Sequence, residues 1–353
     1  MRPPPAGAKL TSYPKRAGMA NSRVPGSQGR FLFDFHGPDD APGILGQRGN
    51  RCYRDSPGIL GVNDWASWVS TAHLPSRPVV TGKCACSREI TLDELCSTYK
   101  AQKRSRCESF LPALNATFKT YGMNSCLRKA HFLAQVGHES GELTYVAETL
   151  PKGKKEADVY DGYKGRGLLQ ITYKKNYQAY GKVVNHDFTD DHRVDLEDPK
   201  WATDSAGNYW TTHNNVDLNG YADKNDLLAV TARVNGGYNG FADRLTHLKR
   251  AFTVLKVRDC STVKIGKEDY VEFAKSDVYA NDVYSFGWGC WNDPKGGKAG
   301  VKPQSPADRK AGYTRYLEFR ALQLKLPVAQ QSTKKHYGFT VKEMDALAKE
   351  GVK

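Results

Sequence analysis

Residues 131–150, HFLAQVGHESGELTYVAETL, contain two glutamates, Glu139 and Glu148, nine positions apart. The run that starts at Leu127 is apolar on most sides and predicts a buried helix that ends at Glu139. On one continuous helix, nine residues at about 100° each would place the two carboxylates on opposite faces. Gly141 permits another path, because glycine can close a helix in the left-handed conformation. The stretch therefore predicts that the chain doubles back and sets Glu148 across a gap from Glu139.

The whole chain has the composition of a soluble globular protein with a strong positive charge. It has 353 residues, of which 39% are hydrophobic and 25% are charged, and its formal net charge is +14. No stretch approaches the roughly 18 consecutive apolar residues of a membrane helix, so no membrane span is expected. The charge favours a polyanionic partner such as nucleic acid, an anionic membrane surface or an anionic cell-wall polymer, although solubility alone would also explain it.

The eight cysteines are open to three interpretations. Their C-x-C pair followed by single cysteines differs from the C-x2-C pairs that are usual in zinc sites. We favour disulfides over buried free thiols, and we predict no metal site. The cysteines are Cys52, Cys84, Cys86, Cys96, Cys107, Cys126, Cys260 and Cys290.

Composition divides the chain into three segments. Residues 1–88 are rich in Pro, Gly, Arg and Ser and predict a loop-rich leader with a delivery or docking role. Two copies of PGILG, at 42–46 and 57–61, indicate similar turns within it. Residues 89–258 carry helical patterns with little β signal, which predicts a mainly α domain. Residues 259–353 form an aromatic-rich and basic extension with at least one amphipathic helix.

Several helices of the mainly α domain have recognisable ends. Thr91 can cap the first helix, and Asn124 or Ser125 can cap the third. Gly122 and Gly236 are typical of helix C-termini. The helical patterns cover residues 90–100, 110–122, 124–139, 199–214, 224–237, 240–256 and 307–326.

A second set of polar residues lies in YKGRGLLQITYKKNYQAYG, residues 163–181. Gly-Arg-Gly permits a turn with close backbone approach, and LLQIT is short and apolar enough for a buried, strand-like edge. Gln170 and Thr172 alternate with apolar residues, so a strand would point both to one side, and Asn176 follows four residues later. Two carboxylates, a hydroxyl and two amides can hold a sugar chain and a water molecule. Inverting glycosidases need one carboxylic acid and one carboxylate base, and this set would supply both.

Three stretches resemble, in order, the signature blocks of the family 19 glycoside hydrolases, and most closely those of the bacterial and phage cell-wall lytic branch. They are residues 131–150, residues 163–181 and VTARVNGGYNGFADRLTHLKRA at 230–251. The resemblance covers about residues 90–258. One block alone would be weak evidence, because a Gly-Arg-Gly turn can be structural, but three in order make chance a poor explanation. The resemblance implies a lysozyme-like fold with two lobes and a cleft between them.

The resemblance also implies roles for individual residues. Glu139 matches the general acid of the family, and Glu148 matches the second carboxylate of the lytic branch, nine residues downstream. Thr172 matches a Ser or Thr that helps to position the attacking water. His138 is expected to shape the hydrogen bonding of the acid, and a helix-cap role remains open for Asn235. Such a mechanism requires no metal and no cofactor. The substrate-binding or water-network positions are His138, Gln170, Asn176, Asn235 and Arg244.

The activity that the resemblance implies is hydrolysis of the β-1,4 bonds of peptidoglycan glycan strands. Chitin is the alternative substrate, because it shares the N-acetylglucosamine unit. The positive charge fits the anionic polymers of the cell envelope. A protein of a different class, a non-catalytic binder of cell wall or nucleic acid, would use the basic tail instead. The joint presence of Glu139, Glu148 and Thr172 argues against that alternative.

The expected substrate lies outside the cytoplasm, but MRPPPAGAKLTSYPKRAG at the N-terminus lacks the apolar run of a secretory signal. We therefore expect a protein that is made in the cytoplasm, leaves by a non-Sec route and acts in the periplasm or cell wall of a target bacterium. The Pro/Gly leader favours an antibacterial effector of a type VI secretion machine over a phage endolysin. The expected partners are glycan strands, an immunity protein and a secretion-system carrier. We expect a monomer that does not bind nucleic acid.

Overall fold

The computed structural model describes residues 83–298, 300–301 and 303–353, and this part of the chain is mainly helical. Pairing between extended segments within it is limited to isolated bridges, which confirms the predicted mainly α class. None of the helices in these ranges has the length and apolar content of a membrane-spanning segment. The PGILG repeat and most of the predicted leader, residues 1–82, lie outside the described residues. The helices are α1 (Leu92–Thr98), α2 (Arg104–Thr120), α3 (Cys126–Glu139), α4 (Lys174–Val184), α5 (Pro199–Thr212), α6 (Asn219–Asp223), α7 (Leu227–Asn235), α8 (Phe241–Val254), α9 (Asp282–Trp291), α10 (Pro306–Gln323) and α11 (Val341–Gly351).

The predicted helix ends are formed by the expected side chains. The Thr91 hydroxyl accepts a hydrogen bond from the Glu94 backbone N–H, and the Glu94 carboxylate accepts one from the Thr91 N–H at 2.8 Å. This reciprocal pair satisfies donors that the first turn of α1 would otherwise leave free. Ser125, and not Asn124, caps α3. Gly236 ends α7 in the left-handed conformation with φ +73°.

Four helices, α4, α6, α9 and α11, have no counterpart in the sequence prediction. Helix α9, DVYSFGWGCW, is buried over nearly its whole length. It therefore has no polar stripe, and the 3.6-residue periodicity that reveals surface helices is missing. Helix α4 contains a glycine and many polar residues, and it buries mainly Tyr177 and Tyr180. Tertiary packing decides the conformation of both segments.

The main hydrophobic core lies among α2, α3, α5, α7 and α8. Helix α3 buries eleven of its fourteen residues, which include Phe132, and packs along α8. Phe132 meets Trp210 of α5 edge-to-face, with ring centroids 5.3 Å apart. Burial of each such side chain contributes roughly 1.5–3 kcal/mol. Helix α3, which ends at Glu139, is therefore anchored in the centre of the molecule.

A second, smaller core forms the other lobe. Arg166 lies fully buried beside it and ion-pairs with Glu156 and Glu197 at 2.5 and 2.8 Å. The Arg166 backbone forms isolated bridges to Ala147 and Ile171, so the Gly-Arg-Gly turn joins the segment that carries Glu148 to this lobe. Two separate cores agree with the predicted two-lobed, lysozyme-like class. The residues of the smaller core are Tyr163, Ile171, Tyr177, Tyr180, Phe188 and Leu196.

The segment after residue 258 packs on the main core. The Tyr238 hydroxyl donates to the Tyr284 carbonyl at 3.1 Å, and the Tyr238 ring lies 5.1 Å from that of Trp288. Trp291 Nε1 donates to Asn239 Oδ1 at 3.1 Å. The boundary at 258 remains a prediction about sequence organisation, while in space both sides of it share one hydrophobic cluster.

The strand interpretation of LLQIT is wrong. The Arg166 and Ile171 backbones exchange hydrogen bonds at 3.0 and 2.7 Å around a tight turn, in which Gln170 is left-handed with φ +54°. Alternation along a strand therefore does not orient Gln170 and Thr172. Both side chains nevertheless lie over Gly165: a Cβ added there would sit 2.8 Å from Gln170 Oε1 and 3.5 Å from Thr172 Oγ1.

Candidate active site

The chain reverses direction directly after Glu139, as predicted. Gly141, Glu142 and Leu143 have φ angles of +56°, +55° and +69°, and the Tyr145 N–H bonds to the Ser140 carbonyl at 2.8 Å. Left-handed backbone is unfavourable for residues with a Cβ atom, so the turn needs support from outside. The Glu142 carboxylate supplies it by accepting from the Ala101 N–H at 2.6 Å and from Arg250 at 2.8 Å.

The Glu139 carboxylate is paired with the guanidinium of Arg244. Arg244 is fully buried and donates through Nη2 to Glu139 Oε1, and the Glu139 side chain is only 11% exposed. The same guanidinium donates to Gln135 Oε1 at 2.5 Å and to the Asn239 carbonyl at 3.2 Å. Arg244 was predicted to bind substrate. The structure places it directly against the predicted acid.

Glu148 lies in a different environment, and none of the residues that the structure describes forms an ion pair with it at short range. The residue is 9% exposed, and its carboxylate accepts one hydrogen bond, from the Gly165 N–H at 3.2 Å. Burial raises the pKa of Glu148, and the Gly165 N–H and the Lys164 ammonium offset only part of that effect. The group therefore holds its proton at a higher pH than a glutamate in water does.

The amides predicted to bind substrate stabilise the turn that carries Thr172. Gln170 Nε2 donates to the Gly167 carbonyl at 2.7 Å, and Asn176 Nδ2 donates to the Thr172 carbonyl at 2.7 Å. The Thr172 hydroxyl donates to the Gln170 carbonyl at 3.0 Å. Its oxygen stays on the Gly165 side, where Glu148 is also bound. Thr172 and Glu148 thus both lie next to Gly165.

His138 links α3 to α8 and does not contact the carboxyl groups of the two glutamates. Its Nδ1 lies 2.8 Å from Asp243 Oδ2, and its ring packs on Gly240. Burial, followed by the nearby charge of Arg244, lowers the pKa of His138. The imidazole is therefore neutral at neutral pH and donates from Nδ1 to the Asp243 carboxylate. That hydrogen bond holds the pKa of Asp243 well below its usual range.

Sequence reasoning did not identify the polar network that continues from Asp243. His247 Nε2 lies 3.5 Å from Asp243, and His247 Nδ1 lies 3.6 Å from Glu142, which Arg250 also contacts. Asp243, His247 and Arg250 are spaced i, i+4 and i+7, so they share one face of α8. That spacing was the available signal, but charged residues on one helical face commonly point to solvent.

Asn235 shapes the loop beside Arg244. It is 2% exposed, and its Oδ1 accepts from the Asn239 N–H at 3.0 Å. Asn239 in turn presents its carbonyl to Arg244. Gly236, and not Asn235, takes the left-handed cap position of α7. Direct contact between Asn235 and a substrate stays a prediction.

The predicted site residues divide between the two lobes. One carboxyl group is ion-paired and the other is desolvated, and such a pair can perform different steps of one acid/base reaction. On the side of the main core lie His138, Glu139, Asn235 and Arg244. On the side of the smaller core lie Glu148, Gln170, Thr172 and Asn176.

Comparison with known proteins finds relatives among glycoside hydrolases. The chain matches no family profile. It is 29% identical over 176 residues to a Haemophilus influenzae glycosyl hydrolase family 19 domain-containing protein. This match covers 37% of this chain and 82% of the relative. It is 32% identical over 115 residues to an endochitinase of Arabidopsis thaliana. This second match covers 31% of this chain and 38% of that enzyme. The match thus spans well under half of the plant enzyme.

Among solved structures, the chain is similar to chitinase C from Streptomyces griseus. The TM-score is 0.41 at 17% sequence identity, and the match covers 52% of this chain and 80% of the chitinase. The likeness to family 19 depends on the sequence relatives and on the three ordered sequence blocks around Glu139, Gly165 and Arg244. They show that the chain is a glycoside hydrolase whose relatives are family 19 proteins.

Proposed function

We propose that this hydrolase cleaves the β-1,4 bonds of peptidoglycan glycan strands with inversion at the anomeric carbon. The observation that carries the choice of substrate is the charge beside Glu148. Lys152, Lys154 and Lys155 are all exposed on the segment that follows it. Peptidoglycan strands carry carboxylates on their lactyl-peptide stems, whereas chitin is uncharged. Exposed ammonium groups near Glu148 would attract the first polymer and gain nothing from the second.

In the proposed mechanism, Glu139 protonates the leaving oxygen and Glu148 activates a water molecule on the opposite face of the sugar. The Thr172 hydroxyl, which shares the Gly165 surface with Glu148, positions that water. Arg244 donates to the Glu139 carboxylate, yet an acid must bring a proton to the bond. The Arg244–Glu139 ion pair must therefore open before proton donation, and we propose that substrate binding separates it.

Rescue experiments test the two roles separately. Glu139→Gln should regain activity on an aryl glycoside, because a phenolate leaves without protonation. Glu148→Ala should regain activity with azide, which needs no base, and should release an α-glycosyl azide. Glu108→Gln, on the exposed face of α2, is the matched control and should behave like the parent. If azide instead rescued the Glu139 variant and the aryl glycoside rescued the Glu148 variant, Glu148 would be the acid and Glu139 the base.

Chitin is the second candidate substrate, favoured by the endochitinase and chitinase among the similar proteins. Purified sacculi and chitooligosaccharides should be compared with the parent and with Lys152→Ala/Lys154→Ala/Lys155→Ala. We expect soluble muropeptides with new reducing ends, detected by mass spectrometry, and a rise in KM for the triple variant on sacculi alone. Faster turnover of chitooligosaccharides, with no effect of the triple variant, would establish the chitinase alternative.

We further propose that the protein acts as an antibacterial effector in the periplasm of a target cell and has a secretion-system carrier and an immunity protein. The Pro/Gly leader and the proposed substrate support this role. Expression in the cytoplasm of a Gram-negative host should be nearly harmless, whereas a fused Sec signal should cause rounding and lysis. The double variant Glu139→Gln/Glu148→Gln should be harmless in both compartments. Killing from the cytoplasm, or killing by the exported double variant, would refute the proposal.

A further inference from the structure

Four cysteines from distant parts of the sequence meet at one point. Cys84 and Cys86 precede α1, Cys126 is the first residue of α3, and Cys260 follows α8. Their four sulfur atoms all lie within 4.8 Å of one another, and Cys86 and Cys260 are 3.4 Å apart. Among the residues that the structure describes, no disulfide involves any of the four. We call these residues the four-cysteine cluster.

The spacing of the sulfur atoms suits a tetrahedral metal site. Zinc–sulfur bonds are about 2.3 Å long, so the edges of a zinc tetrathiolate are roughly 3.8 Å. The Cys86–Cys260 sulfur distance of 3.4 Å and the 4.8 Å limit for the whole cluster lie on either side of this value. The segments would therefore not have to move apart or together to bind zinc. Four thiolates in a tetrahedron are the ligand set of structural zinc, and they leave no open position for a catalytic water.

The surroundings favour the net negative charge of a zinc tetrathiolate. The Cys126 backbone N–H donates to Cys86 Sγ at 3.1 Å, and Cys126 lies at the positive end of the α3 dipole. Lys129, one turn along α3, is 2% exposed and donates to the carbonyls of Ala85 and Arg88 at 2.6 and 2.5 Å. A buried ammonium is thus held against the loop that carries Cys84 and Cys86.

We propose that the four-cysteine cluster binds one Zn²⁺ as a structural site. The ion would tie the segment before α1 to the start of α3 and to the chain after α8. These two helices carry Glu139 and Arg244, so the site would stabilise the scaffold of the catalytic pair without touching it. The sequence disfavoured a metal site because C-x-C is not a usual zinc pattern. The fold instead supplies two of the four ligands from distant segments.

The test uses the full chain, purified under reducing conditions without added metal. We expect about one zinc per chain by elemental analysis and four thiols that react with a thiol reagent only after chelation. Chelation should lower Tm by roughly 5–10 °C. Replacement of zinc by Co²⁺ should produce the intense visible absorption of a tetrathiolate site.

Cysteine variants supply matched controls. Cys84→Ser, a partly exposed ligand, and Cys126→Ser, a buried ligand, should both lose the zinc. Cys96→Ser and Cys107→Ser, which have matching exposure outside the cluster, should retain it. Because Cys126→Ser could fail to fold, Cys84→Ser and the Co²⁺ spectrum of the parent are the deciding measurements.

Several outcomes would overturn the proposal. A zinc-free parent whose intact mass is lower by two disulfides would assign the cluster to disulfide bonding. Reduced thiols that bind no Zn²⁺, iron in place of zinc, or full zinc content in Cys84→Ser would each be equally decisive. None of these results depends on hydrolase activity, so they leave the proposed function untouched.

Discussion

At the scale of single residues, Glu139 and Glu148 are two buried carboxyl groups with opposite electrostatic surroundings. Arg244 compensates the charge of Glu139, whereas in the described part of the chain Glu148 accepts from the Gly165 N–H and is influenced by the charge of Lys164. Their replacement by glutamine should therefore have opposite effects on stability, although both changes remove a proposed catalytic group.

Glu139→Gln should lower both activity and stability. It leaves the guanidinium of Arg244 buried against a neutral amide, which we expect to cost about 1–3 kcal/mol of the free energy of unfolding. Turnover should fall by ~10² to 10⁴ for loss of a positioned acid. Urea denaturation and hydrolysis assays measure the two effects. Unchanged stability would mean that the Arg244 ion pair contributes nothing to the fold.

Glu148→Gln should lower activity by a similar factor but raise stability near pH 7. The pKa of Glu148 is raised in the folded state, so the native protein binds the extra proton and its stability falls as pH rises through that pKa. Glutamine removes the cost of the buried charge. The Tm advantage over the parent should disappear as pH falls below the usual glutamate range. A lower Tm for the variant at pH 7 would contradict this prediction.

The raised pKa also predicts the acidic limb of the pH–rate profile. If Glu148 is the base, it must be ionised, so kcat/KM should fall as pH decreases through its raised pKa, above the usual value of about 4.3. Lys164→Met removes a charge that lowers this pKa and should move the limb to higher pH. Lys182→Met, an exposed change on α4, should leave it in place. An unmoved limb in Lys164→Met would point to another titrating group.

At the scale of elements, the close packing of α3 on α8 decides where the acid lies. Gly240 precedes α8 with φ +69°, and a Cβ added there would meet the His138 ring at 2.0 Å. Glycine is therefore required at position 240, both because φ is positive and because a Cβ atom would clash with His138. The loop before α8 also presents the Asn239 carbonyl to Arg244, so any displacement there reaches Glu139.

Gly240→Ala should therefore lower stability by more than about 2 kcal/mol and reduce kcat, because strain and overpacking act together. Gly220→Ala is the matched control: Gly220 lies within α6, and a Cβ there would meet nothing within 4 Å. Gly220→Ala should leave the free energy of unfolding unchanged or raise it slightly. Thermal unfolding and hydrolysis rates check both variants. Similar behaviour of the two would show that the α3–α8 contact tolerates displacement.

Prediction from sequence succeeded where local chemistry decides an element. Thr91, Ser125 and Gly236 end their helices through groups within a few residues of themselves. It failed for LLQIT, because a short apolar run is compatible with a strand, a helix or a turn. It also failed for α9, whose full burial depends on aromatic partners distant in sequence.

At the scale of the whole molecule, the hydrolase segment and the C-terminal segment share one core. Trp288 contacts Tyr238, Phe241 and Phe273, so its burial depends on both sides of the boundary at residue 258. Domains with a common hydrophobic core unfold together. The C-terminal segment is therefore part of the scaffold that holds the loop beside Arg244.

A chain ended after residue 265, which keeps Cys260, should not fold cooperatively. It would expose the aromatic surface around Tyr238 and Phe241 that α9 covers in the full chain. We expect loss of the near-ultraviolet circular dichroism signal and no sharp thermal transition, against a single transition for the full chain. A shortened chain with parental activity would show that residues 89–258 form an independent domain.

The sequence by itself determined the mainly α class, the ends of several helices, the reversal at Gly141 and the positions of the two candidate carboxylates. These features depend on residues within a few positions of one another, and their chemistry is visible in the order of the chain. Only the tertiary structure placed Arg244 against Glu139, Asp243 against His138, and Gly165 between Glu148 and Thr172. It also gathered four cysteines that are up to 176 positions apart. Such contacts arise from the packing of whole helices, and no local pattern encodes which buried charge will meet which partner.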